Sequence, residues 1–172
     1  VPLSQKRIFE LLERCDLPPG VVNLVNGSRE VAEAICDHPE IRAVSFVGST
    51  PVARTIYRRA THAGKRVQAL GGAKNFIVVM PDADLDRAIP MITESFYGCA
   101  GERCLAGSVL VPVGEAHRPA RDRMIEAARA LQVGDGREPG VSMGPVISAK
   151  HRERVKGYIE KGISEGARLL LD

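Results

Sequence analysis

One cysteine of the chain, Cys104, lies where a nucleophilic thiol would be expected. It follows Gly101, Glu102 and Arg103 and stands between a helical pattern and a strand-like run. A thiol attacks as its thiolate, so it needs solvent access and a positive or dipolar neighbourhood, which Arg103 and a nearby turn could supply. A lone free cysteine is more often a small core residue, so the alternative is that Cys104 is buried and inert.

A second candidate site is a turn that could receive an anion. Gly48 allows close backbone approach to a ligand, Ser49 or Thr50 suits the N-cap of a helix, and Pro51 suits its first turn. The N-terminus of a helix attracts negative charge, and phosphate groups bind there. The alternative is an ordinary capped helix start, and these four residues alone leave both interpretations open.

The elements that would position both sites alternate between strand and helix. Apolar runs bounded by turn residues predict strands, and helical spacing of apolar residues predicts helices. The predicted strands cover 21–25, 43–47, 65–70, 75–80 and 108–113, and the predicted helices cover 3–14, 30–37, 52–63, 85–96, 118–131 and 148–162. Strands joined by helices through short links indicate a parallel α/β sheet, which binds ligands at the carboxyl ends of its strands. The flexible segment 71–74 indicates a domain boundary.

Capping residues indicate where two of these helices begin. Ser28 is predicted to cap the helix that follows it, and the Pro81–Asp84 segment is predicted to cap the helix that contains Pro90. Proline inside a helix removes a hydrogen bond, so Pro90 must kink this helix or shift its start. Asp82, Asp84 and Asp86 could suggest a metal site, but capping explains the first two more simply, and we predict no metal.

Composition narrows the classes of function. The 172 residues are 44% hydrophobic and 26% charged, which is typical of a globular domain. The net charge of +3 is spread among alternating signs, which argues against a nucleic-acid partner. No apolar run reaches the length of a membrane-spanning helix, so we expect no membrane partner. The four cysteines match no zinc spacing, and we expect reduced thiols in a soluble, cytoplasmic protein. The two ends suggest a piece of a longer polypeptide.

Four segments, taken in order, resemble motifs of the aldehyde dehydrogenase superfamily, and the resemblance covers essentially the whole chain. They are Phe46–Thr50, Gly71–Asn75, Pro81–Leu85 and Gly101–Cys104. The second and fourth are most similar to the CoA-acylating methylmalonate-semialdehyde dehydrogenases. The resemblance implies that residues 1–71 are the C-terminal half of an NAD-binding domain with a Rossmann-like parallel sheet. Residues 72–172 would then be the N-terminal part of the catalytic α/β domain.

The activity that the resemblance implies is NAD-dependent, CoA-acylating oxidation of methylmalonate or malonate semialdehyde to propionyl-CoA or acetyl-CoA. Cys104 would carry the acyl group as a thioester. Hydrolytic relatives carry a glutamate as general base, but the matching position here is Leu70 or Ala69, depending on the anchor. Without a base, attack by water loses about 10²- to 10⁴-fold in rate, and the thiol of CoA can compete. Glu102 as a substitute base, a hydrolytic enzyme that yields a free acid, and a non-catalytic nucleotide-binding fragment remain alternatives.

The resemblance also implies roles for five further residues. Arg103 would bind the carboxylate of the semialdehyde, although it could instead favour the Cys104 thiolate or form a surface salt bridge. Ser49 would contact the pyrophosphate of NAD, and the backbone of Gly71 would lie near the nicotinamide. Gly27 and Gly48 would allow close approach of the cofactor.

For the whole protein, the resemblance implies the semialdehyde and CoA as small-molecule partners and a homotetrameric assembly. Relatives are roughly three times as long as this chain and supply an oxyanion donor and a cofactor-binding glutamate outside the matching segment. We therefore expect the isolated 172-residue chain to be inactive or nearly so.

Overall fold

The computed structural model describes residues 2–172. They divide into two compact units, and the boundary along the chain lies between Gly72 and Ala73. The parallel α/β class predicted from the sequence is confirmed, because both units contain a pair of parallel strands. None of the described helices combines the length and the apolar composition that a bilayer crossing requires.

The first unit has two strands connected by a helix. Its elements are α1 (Pro2–Leu12), α2 (Arg29–Asp37), β1 (Ala43–Val47), α3 (Thr50–His62) and β2 (Arg66–Leu70). The strands pair in parallel from Ala43 with Arg66 to Val47 with Leu70. A parallel pair needs a crossover connection, and α3 provides it. The small core of this unit contains Cys36, Ile56 and Ala60, which α2 and α3 bury against the strands.

The strand predicted at 21–25 is wrong. The segment has no strand assignment, and Val21 and Val25 are 64% and 67% exposed. A strand is stabilised by a ladder with a neighbour, and the sheet of the described first unit contains β1 and β2 alone. An apolar β-branched run is therefore not enough to form a strand without a partner.

Ionic contacts connect α2 to its neighbours in the first unit. The guanidinium of Arg59 pairs with Glu33 at 2.8 Å and with Asp37 at 2.6 Å. Its hydrogen bonds lower the pKa of Asp37, and hydrogen bonds from Arg29 and then Arg59 lower the pKa of Glu33. Lys65 is only 8% exposed, and its ammonium donates to the carbonyls of His38 and Ile41. These bonds fix the turn that leads from α2 into β1.

The second unit is built around another parallel pair. Its elements are β3 (Asn75–Val79), α4 (Leu85–Tyr97), β4 (Gly107–Pro112), α5 (His117–Arg129) and α6 (Ala149–Ser164). Val79, Ile89, Ile92, Ala116 and Met124 form its core. A Cβ on Gly107 would lie 2.7 Å from Cδ1 of Ile77 and closer still to the ring of Phe96. Glycine at 107 therefore lets β4 pass directly beneath α4.

The helix starts differ from the sequence prediction in one respect. Asp84 caps α4, with a side-chain oxygen 3.1 Å from the amide of Asp86 and 3.3 Å from that of Arg87. Ser28 occupies the N-cap position of α2, but its side chain makes no capping bond, and its hydroxyl donates to Glu30. The predicted N-cap position of Ser28 is therefore confirmed, but the side-chain hydrogen bond of a cap is not present. Pro90 lies inside α4, which begins at Leu85, after the Pro81–Asp84 segment.

Candidate active site

The segment that carries Cys104 connects the end of α4 to the start of β4. Cys104 is exposed, so the interpretation of this residue as a buried core cysteine is wrong. Cys36 is buried, and loss of solvent around its thiol raises its pKa, which disfavours the thiolate. Cys15 and Cys99 are exposed free thiols. Exposure makes the thiol of Cys104 accessible to a small electrophile.

A left-handed turn brings the chain from α4 to Cys104. Three consecutive residues have positive φ angles, namely Cys99 at 52°, Ala100 at 54° and Gly101 at 72°. Non-glycine residues rarely adopt this conformation, and each costs of the order of 1 kcal/mol or more. Backbone strain of this kind persists where the surrounding structure enforces it. Here the turn is held by the amide of Glu102, which donates to the carbonyl of Cys99 at 3.1 Å.

The side chain of Arg103 lies against the end of α4. Its Nη2 donates to Oε1 of Glu94 at 2.9 Å. Hydrogen bonds to Cys99 and Glu94 raise the pKa of Arg103. A Cβ on Gly98 would lie 2.8 Å from both Nη atoms, so the absence of a side chain there makes room for the guanidinium. The surface salt bridge considered from the sequence is therefore present, and a carboxylate contact remains a prediction.

Glu102 lies close to a histidine of α6, which corresponds to the helix predicted at 148–162. The imidazole Nε2 of His151, on α6, lies 3.5 Å from Oε1 of Glu102. The two residues are distant in the chain, so no local pattern could reveal their proximity. The contact directs the carboxylate of Glu102 towards α6.

Asn75 is a site residue whose role the sequence interpretation missed. Its amide Nδ2 donates to the carbonyl of Cys104 at 3.0 Å and to that of Ala106 at 2.9 Å. The available signal was a polar residue at the first position of an otherwise apolar strand run. Asn75 thus links the start of β3 to the segment that carries the thiol.

In the first unit, the turns after β1 and β2 come together at the carboxyl ends of the two strands. The amide of Gly48 donates to the carbonyl of Leu70 at 3.1 Å, and the amide of Gly72 donates to Oγ1 of Thr50 at 3.0 Å. A Cβ on Gly71 would lie 2.8 Å from the same oxygen. Three of the predicted cofactor residues, Gly48, Ser49 and Gly71, are therefore grouped at one edge of the sheet.

The start of α3 has features of an anion-binding site. Ser49 occupies the N-cap position, but its hydroxyl makes no capping bond. The hydroxyl is thus not committed to the helix, whose first N–H groups carry partial positive charge. A small cleft of about 220 Å³ lies beside this turn and is lined by Thr50, Ala53, Arg54, Tyr57, Arg58, Ala69 and Gly71. The fourth predicted cofactor residue, Gly27, packs beside Val31 of the following helix.

Comparison with known proteins identifies a family and several relatives that this chain resembles. The model of the aldehyde dehydrogenase family matches residues 1–172. Malonate-semialdehyde dehydrogenase of Halalkalibacterium halodurans is 46% identical over 99% of the chain, and malonate-semialdehyde dehydrogenase 3 of Geobacillus kaustophilus is 51% identical over 99%. The chain spans about 35% of the length of each of these relatives.

Solved structures agree with the sequence relatives. A methylmalonate-semialdehyde dehydrogenase from Oceanimonas doudoroffii superposes with a TM-score of 0.88 at 46% identity, covering 95% of this chain and 34% of that one. Betaine aldehyde dehydrogenase from Staphylococcus aureus, in complex with NAD⁺, superposes with a TM-score of 0.90 at 29% identity, covering 99% and 34%. From the full-length family match and these relatives, the chain belongs to the aldehyde dehydrogenase family.

Proposed function

We propose that the protein carrying this chain oxidises an aldehyde with NAD, and that Cys104 is the nucleophile. The observation that carries the proposal is an exposed cysteine on a hydrogen-bonded loop, in a chain that the family model matches throughout. In this reaction the Cys104 sulfur bonds to the carbonyl carbon of the aldehyde. A hydride then leaves that carbon, and a thioester remains on the sulfur.

The residues at the start of α3 fit the cofactor. The helix N-terminus and the uncommitted Ser49 hydroxyl suit a pyrophosphate. The missing side chains of Gly48 and Gly71 make room for Phe46 and Thr50, which keeps this turn compact. NAD, when bound, accepts the hydride. The relatives support this assignment, since the Staphylococcus aureus enzyme was solved with NAD⁺.

For the second half of the reaction, we favour CoA over water as the acceptor. Neither Leu70 nor Ala69, the two positions that match the hydrolytic glutamate, can take a proton from water. The thiolate of CoA attacks the thioester carbon, the Cys104 sulfur leaves, and an acyl-CoA is released with the free thiol restored. Loss of the distal carboxylate as CO₂, with a proton taken up from water at the carbon that it leaves, converts the malonate-type acyl group to acetyl-CoA, or the methylmalonate-type group to propionyl-CoA.

A malonate-type semialdehyde is the substrate class that the relatives favour. Such a substrate carries a carboxylate, and Arg103 is the cation adjacent to the nucleophile in the chain. Its guanidinium has five N–H donors and contacts Cys99 and Glu94, so further donors remain for a second carboxylate. We also propose a homotetramer for the whole protein, as the resemblance implies. The four free cysteines support a reducing, cytoplasmic location.

CoA dependence tests the proposal. The protein at its natural length is incubated with malonate semialdehyde and NAD, with and without CoA, while NADH and the acyl product are measured. We expect continuous NADH formation with acetyl-CoA as product when CoA is present, and about one equivalent per active site when it is absent. Cys104→Ser should abolish NADH formation, whereas Cys15→Ser should not. Equal rates without CoA, with a free acid as product, would establish the hydrolytic alternative.

A further inference from the structure

The side chain of Asn75 makes two hydrogen bonds to the main chain of the Cys104 loop. Both acceptors are carbonyl oxygens, those of Cys104 and Ala106, at 3.0 and 2.9 Å from Nδ2. Only the NH₂ end of the amide can donate to them, which fixes the orientation of the side chain. Each of its two hydrogens serves one carbonyl. The Asn75 side chain therefore holds the backbone of the loop at two points, one of which is Cys104 itself.

Packing contributes little to the position of this loop. Cys104 is exposed, and Leu105 is 73% exposed, so neither side chain is held by a core. Ala106 is buried at 3% exposure but offers only a methyl group. Within the loop, the amide of Ala106 donates to the carbonyl of Arg103 at 3.0 Å. Polar contacts therefore hold the loop in place.

Asn75 is itself well anchored. It is the first residue of β3 and is paired with Gly107 of β4, while the next pair joins Phe76 to Val109. The register shift leaves Ser108 unpaired, which is the pattern of a β-bulge. Bulges often redirect a side chain near a functional site. The amide of Gly107 also donates to the hydroxyl of Ser95 at 3.0 Å, which secures the far end of the loop to α4.

We propose that Asn75 is a positioning residue for the nucleophile. It holds the backbone of Cys104 through the carbonyls of residues 104 and 106 and touches neither substrate nor cofactor. The functional part of this inference rests on the proposed role of Cys104. The mechanical part, that the Asn75 amide holds the loop, concerns the structure alone.

Asn75→Asp tests the proposal, because it keeps the shape of the side chain while the ionised carboxylate loses both donors. Gln68→Glu is the matched control, since it makes the same amide-to-carboxylate change on the exposed face of β2. The first measurement is hydrogen exchange of the amides of Glu102, Ala106 and Gly107 in the protein at its natural length. We expect these amides to exchange about tenfold faster in Asn75→Asp and unchanged in Gln68→Glu.

The second measurement is steady-state kinetics with the aldehyde and NAD. A nucleophile that is held out of place lowers the rate of attack, so kcat should fall about 10- to 100-fold while the KM for NAD stays within about twofold. Asn75→Gln, which keeps the donors, should recover part of the lost kcat. If Asn75→Asp does not fold, Asn75→Ala removes both donors without adding a charge.

Unchanged exchange together with unchanged kcat in the donor-free variant would overturn the proposal. A fall in kcat with normal loop exchange would also overturn it, because Asn75 would then act by another route. If the wild-type protein forms no NADH but hydrogen exchange in the loop increases as expected in Asn75→Asp, the proposed function is wrong. The inference that the Asn75 amide holds the loop is then still supported. The two hypotheses are thus separated by the two measurements.

Discussion

At the scale of single residues, the candidate site contains an exposed thiol, Cys104, and the ion pair of Arg103 with Glu94 precedes it in the chain. The neighbourhood of Cys104 predicted an accessible thiol, and the structure confirms its exposure. The contacts of Asn75 with Cys104 and of His151 with Glu102 could not be predicted, because they join residues that only the fold brings together. Ser49 was a candidate both for a helix cap and for an anion ligand, and it makes no capping bond.

Arg103 provides a prediction on specificity. If its guanidinium binds the substrate carboxylate, Arg103→Ala should lower the ratio of kcat/KM for malonate semialdehyde over that for propanal by about tenfold or more. Arg137→Ala is the matched control, since Arg137 is an exposed arginine of the same unit that pairs with Asp135 at 2.6 Å. Rates with both aldehydes, measured for each variant, check this. If the ratio of the two kcat/KM values is unchanged in Arg103→Ala, Arg103 does not bind the substrate carboxylate, and its role is limited to the salt bridge with Glu94.

At the scale of elements, periodicity and turn residues predicted most helices and strands within a few residues. The predicted strand at 43–47 coincides with β1, and the predicted helix at 85–96 differs from α4 by one residue. The failure at 21–25 has a physical cause, since a strand depends on a partner that the local sequence does not specify. A helix satisfies its own backbone and is easier to predict from its residues alone.

Gly107 gives a prediction at the scale of elements. A methyl group at this position would overlap the ring of Phe96 and the end of Ile77, so β4 and α4 must separate or repack. We expect Gly107→Ala to lower the free energy of unfolding of the second unit by about 1–3 kcal/mol. Gly136→Ala is the control, because a Cβ there meets no atom within 4 Å. Urea unfolding curves of both variants measure the difference, and equal stabilities would show that the strand and helix adapt without strain.

At the scale of the whole molecule, the chain has two units, and each has a core of its own. Large apolar side chains nevertheless remain exposed, including Val47 at 65%, Phe76 at 63% and Val78 at 58%. The relatives are longer, since the chain spans about 35% of them. The sequence predicted the family correctly because its motifs are short and local. Assembly and catalytic competence depend on contacts beyond any one motif.

The isolated 172-residue chain should therefore lack the proposed activity. Loss of even one oxyanion donor costs about 10²- to 10³-fold in rate, and the resemblance implies that this donor lies outside the matching segment. NADH formation from malonate semialdehyde, with NAD and CoA, is compared between the purified 172-residue chain and the protein at its natural length. A turnover number within tenfold of that of the protein at its natural length would show that these residues suffice.

The left-handed turn at residues 99–101 also limits which sequences can precede the thiol. Residues branched at Cβ clash with the backbone at such φ angles, so valine, isoleucine and threonine are excluded from positions 99 and 100. Gly98 is restricted in another way, because the guanidinium of Arg103 fills the space of a side chain. The Gly-Cys-Ala-Gly stretch thus has residues that suit the shape of this turn. Variant libraries of this protein should tolerate only small or turn-forming residues at these positions.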